Sequence, residues 1–355
     1  MSEYQQWTCD VLVIGAGPAG SMAARFAAQE GAAVILLERR ERVGLPVRCA
    51  EYVPLPVSRY VELNRPGLLV QTVRAMQTFI PGDAVKETVV PGAIINRDRL
   101  DQELAGLAVK AGAELKTGIQ AWTRQGDQVV AREKEGLVRI SSRVIIGADG
   151  PSSQVGRWMG SGHKEFLISA QYRISLTRPL DHTRIYFRPY IQGGYGWLFP
   201  KGGEANLGVG IVPSLHKGLK KVLDQFKMEL AQEDLIKDAI KRQGGGILPV
   251  GGLIPVAKEN MILAGDAAGT CHPITGAGVG NALLSGEMAG QAAAEAVRKG
   301  NFQSLKQYEK ELRGLLGHSL NLGVRKRKAM MARWNRPDFS ETIRQNWIAF
   351  REYYK

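Results

Sequence analysis

Val11-Leu12-Val13-Ile14-Gly15-Ala16-Gly17-Pro18-Ala19-Gly20 decides the fold of this 355-residue chain. An apolar strand over residues 11–14 ends at Gly15, which permits a tight turn. Gly17 has no side chain, so a pyrophosphate can approach the backbone. Gly20 lets the next helix pack closely on the strand. That helix, predicted over residues 19–30, points free N–H groups and the positive end of its dipole at the phosphates. Gly31 terminates it. Val34-Ile35-Leu36-Leu37 forms a second strand, and Glu38 at its end is placed to accept hydrogen bonds from a ribose. The acidic residue follows the glycines by about 20 positions, as dinucleotide binding requires.

The fingerprint alone leaves NAD and FAD open. A late segment decides between them. Gly265-Asp266-Ala267-Ala268-Gly269 runs into Gly276-Ala277-Gly278-Val279-Gly280. Only a flavin needs a second holding point so far along the chain, so the expected cofactor is FAD. Backbone N–H groups of the 276–280 loop, at the start of a helix, can face the N1–C2=O edge of the flavin, where negative charge gathers on reduction.

The chain is long enough for two or three domains and a large core. Its net charge is +13. Residues 313–355 hold ten Lys/Arg against three Asp/Glu, a surplus of seven, including Arg325-Lys326-Arg327-Lys328. Such a patch suits an anionic membrane surface or an acidic electron carrier, or else it is a solvated helix face. No nucleic-acid recognition module is visible, so nucleic acid is not an expected partner. The N-terminus does not read as a signal peptide. No apolar run approaches the roughly 18 to 20 residues that span a bilayer. Cys9, Cys49 and Cys271 show neither metal spacing nor a disulfide framework, so no metal is expected. A cytoplasmic location fits, with peripheral attachment to the inner face of the membrane as the extension of that reading.

The expected class is α/β. An FAD-binding Rossmann-like domain carries an inserted antiparallel-sheet substrate domain and ends in a C-terminal helical tail. The FAD-binding parts are residues 1–69, 94–165 and 244–300. The substrate parts are residues 70–93 and 166–243, and the basic helical tail is 301–355. Asn96-Arg97-Asp98-Arg99-Leu100 opens a helix. Residues 143–147 form a strand that ends in the Asp149-Gly150 turn, which returns to the nucleotide half of the cofactor. Residues 219–241 are predicted helical. Helices are also predicted over 281–299, 305–317 and 321–334.

At this point the chain resembles a known family. The glycine fingerprint, the Asp149-Gly150 turn and the Gly265-Asp266 motif resemble the p-hydroxybenzoate-hydroxylase-type FAD fold. Gly44-Leu45-Pro46-Val47-Arg48-Cys49-Ala50-Glu51 resembles the Gly…Pro…Cys-Gly-Glu stretch of geranylgeranyl reductases. Tyr195-Gly196-Trp197-Leu198-Phe199-Pro200-Lys201 resembles that family's Tyr-x-Trp-x-Phe-Pro-Lys motif. The resemblance covers residues 8–320. Ala50 departs from it, replacing the usual glycine, and the basic tail has no counterpart in the motif pattern.

The resemblance implies cofactor contacts from Gly15, Gly17, Ala19 and Gly20, and from Glu38 and Arg39 after the second strand. It adds Arg48, Cys49 and Ala50, then Arg97 near the pyrophosphate. Asp149 and Gly150 follow, with Gly265 and with Asp266 as the ribityl-hydroxyl ligand. The loop of Gly276, Ala277, Gly278, Val279 and Gly280 completes the set. Cys49 is expected beside the flavin ring, where a thiol could position substrate or take part in proton delivery. Cys271 and His272 sit between Asp266 and the loop, and the unperturbed pKa of histidine suits proton transfer. Tyr195, Trp197 and Phe199 alternate along a strand and share one face. With Pro273 they form the expected substrate wall.

The implied activity is saturation of carbon–carbon double bonds in isoprenoid chains, in a geranylgeranyl lipid or a quinone side chain. Electrons would come from a ferredoxin or NAD(P)H, since no second nucleotide fingerprint stands apart from the flavin segments. Two rivals share the fold. One is a flavin monooxygenase or halogenase. Halogenases carry a Trp-x-Trp-x-Ile-Pro segment, where this chain has Tyr195 and Phe199. The other is an electron-transfer module passing electrons to quinone, which the basic tail favours.

Overall fold

The computed structural model describes residues 5–134 and 136–355. Strand β1 (Gln5–Ile14) leads through the glycine turn into helix α1 (Pro18–Gln29) and strand β2 (Val34–Glu38). β3 (Tyr52–Pro54), β4 (Leu69–Phe79) and β5 (Lys86–Ile95) precede helix α2 (Arg97–Lys110). β6 (Glu114–Thr117), β7 (Gln120–Gln125), β8 (Gln128–Glu133) and β9 (Gly136–Gly147) follow, and then the short helix α3 (Gln154–Trp158). β10 (Phe166–Leu176), β11 (His182–Tyr186), β12 (Gly196–Lys201) and β13 (Glu204–Ile211) lead to α4 (Leu219–Gln232). β14 (Ile236–Pro249), β15 (Ala257–Lys258) and β16 (Met261–Leu263) precede the helices α5 (Val279–Lys299), α6 (Gln303–Ala332) and α7 (Phe339–Asn346).

The strands make two sheets. In the first the order is β15-β16-β9-β1-β2-β6, with β7 and β8 hanging from β9. The pairs β1–β2, β1–β9, β2–β6 and β16–β9 are parallel, so their connections must cross over the sheet. Strands covered on both faces carry continuous apolar runs, and Val11, Leu12, Val13 and Val144, Ile145, Ile146 are fully buried. Helices α1 and α5 cross at close range because each presents small residues. A Cβ on Gly286 would stand 2.2 Å from the Ala19 carbonyl oxygen, and one on Gly290 would stand 2.4 Å from that of Ala23. Alanine at either place would overpack the contact, at about 1–3 kcal/mol.

The second sheet has the order β14-β10-β13-β12-β11-β4-β5-β3 and is antiparallel throughout its length except for the β11–β4 pair. One side of it packs on α4 through Leu223, Phe226 and Leu230. The other side faces the first layer and carries the site.

Three sequence expectations change. The helix predicted over 219–241 stops at Gln232, and residues 236–249 are the edge strand β14. Asp234 adopts a left-handed φ of 53°, which ends the helix, and Ile236, Ile240 and the glycines pair along β10 instead. Gly244, Gly245 and Gly246 therefore still belong to the second sheet. The helices predicted over 305–317 and 321–334 are one 30-residue helix, α6. Its interior glycines cost about 1 kcal/mol each in propensity, which tertiary packing overrides. Leu305, Tyr308 and Leu312 bury in the first layer, while Met330 packs on the second.

The third change concerns the tail aromatics. Beside the basic run, Trp334, Trp347, Phe350, Tyr353 and Tyr354 read from the sequence as interfacial anchors, yet Trp334, Trp347 and Tyr353 are buried, in one cluster with Ile80, Phe187 and Ile274. Apolar rings of this size gain more from a protein core than from a surface. The tail thus packs as a structural part of the second layer.

Candidate active site

The nucleotide cradle is built by backbone proximity. Gly15 has φ +102° and donates its N–H to the Leu37 carbonyl at 2.7 Å. A Cβ on Gly20 would fall 1.7 Å from the Gly15 oxygen, whereas one on Gly17 would meet nothing within 4 Å. The first turn of α1 has no side-chain cap and no acidic residue, so its N–H groups stay open to an anion beside Gly17, Ala19 and Gly20. Glu38 braces the turn, accepting the Ala16 N–H at 3.0 Å through Oε2 and the Arg40 N–H at 3.0 Å through Oε1. Arg39 and Arg48 are exposed. Asp149 accepts from Ser153 Oγ at 2.5 Å and from the Gln154 N–H at 2.6 Å. Its carboxyl is pushed up by burial, against those bonds. The structure therefore gives Asp149 the start of α3 to cap, while Ala148 and the Asp149-Gly150 turn sit against Gly15.

The late glycine segment closes the other end. Gly265 takes φ +63° and donates its N–H to Ser285 Oγ at 3.0 Å. His163, which no sequence signal marked, donates from Nε2 to the Asp266 carbonyl at 2.8 Å. Burial pushes the Asp266 carboxyl up, while Arg97 and His163 oppose that. Among the described residues no hydrogen bond reaches this carboxylate, which faces Gly278: a Cβ there would stand 3.4 Å from Oδ1. Helix α5 starts at Val279 without a side-chain cap. Open N–H groups at two helix starts, and the half-buried Asp266 carboxylate facing Gly278, fit a flavin dinucleotide held at both ends.

Between these ends lies the Cys49 segment. The inner face of the second sheet has a floor of small residues. Gly208 of β13 pairs with Gln171 of β10, which pairs with Gly244 of β14, and Gly210 pairs with Ser169, which pairs with Gly246. Residues 47–50 lie on this floor. A Cβ on Gly244 would come 3.4 Å from the Val47 oxygen, and one on Gly246 would come 3.7 Å from Arg48 Cβ. Gln171 Nε2 donates to the Cys49 carbonyl at 2.9 Å, and Asn206 Nδ2 to that of Ala50 at 2.8 Å. The Cys49 sulfur accepts the Glu51 N–H at 3.2 Å. Burial disfavours charge on Arg97, but Asp101 at 2.8 Å and the Cys49 sulfur more than offset it, so the guanidinium is held above its ordinary value. Asp266 and Cys271 meet at Gly278, where a Cβ would stand 3.4 Å from Asp266 Oδ1 and 3.8 Å from Cys271 Cβ. Cys271 itself is buried, and burial pushes its thiol well up, which keeps it protonated.

Glu51 anchors the segment and was not singled out from the sequence as a site residue. It is buried, with a left-handed φ of 68°. Its Oε1 accepts the Arg97 N–H at 3.0 Å. Its Oε2 is shared by Lys201 Nζ at 2.7 Å, Asn206 Nδ2 at 3.0 Å and Arg173. Glu51 and Lys201 end the two most specific motif segments, a signal that could have paired them. Arg173 and Asn206 carry no such signal.

Tyr195, Trp197 and Phe199 line one edge of the floor. The Trp197 ring lies over Gly208, whose Cβ would be 2.2 Å from it. Phe199 meets Tyr52 edge-on at 6.1 Å between centroids. Tyr195 donates its hydroxyl to the Thr275 carbonyl and packs against Trp347 at 5.4 Å. The tail thus supports the wall from behind. Gly323 of α6 passes over Pro273 and His272, where a Cβ would stand 3.0 Å from Pro273 Cδ.

His272 faces this packing. Its Nδ1 accepts the N–H groups of Ile274 and Thr275 at 3.4 and 3.3 Å, and its Nε2 lies 3.4 Å from the Tyr353 hydroxyl. Burial pulls its pKa down to about 4. Its neutral ring shapes the turn into the glycine loop.

The comparisons with known proteins agree with this geometry. Residues 10–46 match the FAD dependent oxidoreductase family, and residues 166–247 match the geranylgeranyl reductase catalytic domain. The chain is 34% identical to the digeranylgeranylglycerophospholipid reductase of Methanocella arvoryzae, over 90% of this chain and 85% of that protein. It is 35% identical to that of Methanosarcina mazei, over 89% and 83%. The crystal structure of a geranylgeranyl bacteriochlorophyll reductase-like protein from Thermoplasma acidophilum superposes with a TM-score of 0.84 at 26% identity, covering 96% of this chain and 97% of that one. A flavin-dependent brominase superposes at 0.71 with 18% identity, which places it on the same fold and no more.

Proposed function

Since the chain belongs to the geranylgeranyl reductase family of FAD-dependent oxidoreductases, we propose that it saturates the carbon–carbon double bonds of geranylgeranyl chains in a glycerophospholipid. The observation that carries this reading is the Cys49 segment lying on a glycine floor, bordered by Tyr195, Trp197 and Phe199. The glycines let the Cys49 segment settle closely on the sheet, and the aromatic edge beside it would align a long apolar chain and exclude water from it.

FAD, when bound, supplies the electron pair for the alkene as a hydride equivalent. The residues of this chain would do the rest. Gly15, Gly17, Ala19 and Gly20 hold the pyrophosphate, with Glu38 on the ribose. Asp266 accepts from the ribityl hydroxyls, and the loop 276–280 donates N–H groups to the ring edge. Gln171 and Asn206 hold the Cys49 segment by its carbonyls, and Cys49 would deliver the proton to the second alkene carbon. The aromatic row aligns the chain, which an unactivated alkene needs because little but alignment is available to lower its barrier. His272, neutral and bonded on both sides, positions the loop.

The electron donor in this reading is a ferredoxin or NAD(P)H. The lipid leaves a membrane whose anionic face meets the basic tail. Among the described residues no helix is long and apolar enough to cross a membrane, so approach would be from the surface.

The test is mass spectrometry of geranylgeranyl glycerophospholipid incubated anaerobically with dithionite-reduced protein. Mass gains in steps of two hydrogens are expected. Unchanged lipid, or oxygen-dependent hydroxylation or halogenation, would reject the proposal.

A further inference from the structure

The sheet face that carries the aromatic row ends in cations. Trp197, Phe199 and Lys201 alternate onto one face of β12. Beside them, in register, Phe199 pairs with Asn206, Asn206 with Arg173, and Arg173 with Arg242. Arg173, Lys201 and Arg242, with Arg99 from the first turn of α2, border a cavity of about 380 Å³. A smaller cavity shares Arg173 and Arg242 and continues to Val47, Gln171 and Gly244 under the Cys49 segment. The cationic cavity and the floor of the site thus border the same two arginines.

The charge balance of this cavity leans positive. Three carboxylates also line it: Glu51, Asp98 and Glu204. Glu51 is shared by two cations, Arg173 and Lys201. Glu204 is held by Lys241 at 2.6 Å from outside the cavity as well as by Arg173 at 3.6 Å. Arg99 and Arg242 have no hydrogen bond or ion pair among the described residues, and both are exposed at the mouth. Two guanidinium groups free to turn inward, above the buried Lys201 and the half-buried Arg173, suit bidentate capture of a phosphate.

We propose that this cavity binds the phosphate ester of the lipid headgroup, and so sets which end of the substrate faces the flavin. The proposal rests on the reductase reading above. From Lys201 to Trp197 is four residues of strand, roughly 13 Å. A phosphate at the cationic end therefore directs the attached isoprenoid chains along the same face toward the aromatic row. A free phosphate offers the same anionic chemistry but no chain to use that row.

The test uses the FAD-loaded full-length protein and two saturated diether lipids in detergent micelles, one a glycerol phosphate and the other ending in glycerol alone. Neither has a double bond, so calorimetry reads binding without turnover. The phosphate form is expected to bind at least about tenfold more tightly, the scale of one charge-assisted hydrogen bond. Arg99→Gln together with Arg242→Gln should erase that preference while FAD content and circular dichroism stay unchanged. Equal affinity for the two lipids overturns the proposal, as does a preference that survives the double substitution. Inorganic phosphate binding as tightly as the phosphate lipid also overturns it, in favour of a free-anion site. If unsaturated lipids are not reduced but the preference and its loss are seen, the reductase reading falls and the phosphate site stands.

Discussion

The Lys201 ammonium lies 2.7 Å from Glu51 Oε2, with Glu51 2% and Lys201 9% exposed. The pair joins the last residue of β12 to the residue two beyond Cys49, and so clamps the Cys49 segment to the second sheet. Burial alone would push the Glu51 carboxyl up. Lys201, Asn206 and the Arg97 N–H outweigh it, and the carboxyl is held below its usual 4.5. At Lys201 burial wins over Glu51 and pulls the ammonium down. Glu51 stays the carboxylate of the pair, because its bonds to Asn206 and to the Arg97 backbone favour that form independently of Lys201.

Glu51→Ala leaves the buried Lys201 ammonium without its carboxylate. The expected loss is about 3–5 kcal/mol, read from urea unfolding. The pH dependence has a definite sign. A carboxyl held below its usual value contributes stability that is complete above pH 4.5 and is lost as pH falls through its folded value. Glu51→Gln should therefore flatten the acid limb of the stability curve below that pH. An unaltered acid limb would show that Glu51 is not ionised in the fold.

Asp266 and Cys49 should give opposite phenotypes. Asp266→Ala removes the acceptor facing Gly278, and FAD should bind about tenfold or more weakly, seen as a lower ratio of flavin to protein absorbance. Cys49→Ala removes only a sulfur and should retain FAD. If Cys49 lies on the proton path, kcat for alkene reduction should fall about 100-fold or more with KM little changed. Loss of flavin from Cys49→Ala would make the residue structural, and full occupancy in Asp266→Ala would remove its ribityl role.

His272 tests the pH behaviour of the glycine loop. Its folded pKa is depressed to about 4 from 6.5. Its contribution to stability is present above 6.5 and is lost as pH falls toward 4, because the unfolded chain takes up a proton that the folded ring refuses. The linkage is worth up to about 3 kcal/mol. His272→Asn should weaken the pH dependence of thermal stability in that window. The pH–rate profile of the unaltered enzyme should lack a His272 step near 6.5. Such a step, abolished by the substitution, would restore His272 as a proton donor.

The glycine fingerprint was legible because its requirements are local: a turn, an approach and a helix start lie within ten residues. The same holds for the loop before α5. The Glu51–Lys201–Arg173–Asn206 cluster was not legible, since its members come from four strands or loops and meet only through register. The glycine floor was hidden for the same reason, as Gly208 and Gly244 acquire meaning only when both align with Gln171. The tail misled because composition cannot tell a buried tryptophan from an interfacial one. The run Arg325-Lys326-Arg327-Lys328 shows the same ambiguity. Arg327 is buried and donates to the Gly193 carbonyl at 2.8 Å, with its pKa pulled down to about 10 by burial. Lys326 Nζ donates to the Gln345 and Glu352 carbonyls at 3.0 Å each.

The tail therefore separates into a buried part and an exposed basic part, each with its own test. Trp347 is 1% exposed, meets Phe187 at 5.1 Å between centroids, and donates from Nε1 to Thr78 Oγ1 at 3.0 Å. Trp347→Ala should cost about 3–5 kcal/mol of stability and should raise KM for the lipid, because Tyr195 loses its backing. The charges that remain for a membrane are those without a partner among the described residues: Arg325, Arg336, Arg351 and Lys355. Each could add roughly 1 kcal/mol at an anionic surface, screened by salt. Co-sedimentation should therefore be seen with anionic vesicles at low salt and should fade at high salt. Replacing these four by Gln should weaken it further while leaving the unfolding midpoint in place. Binding that is equal on neutral and anionic vesicles would reject an electrostatic approach to the membrane.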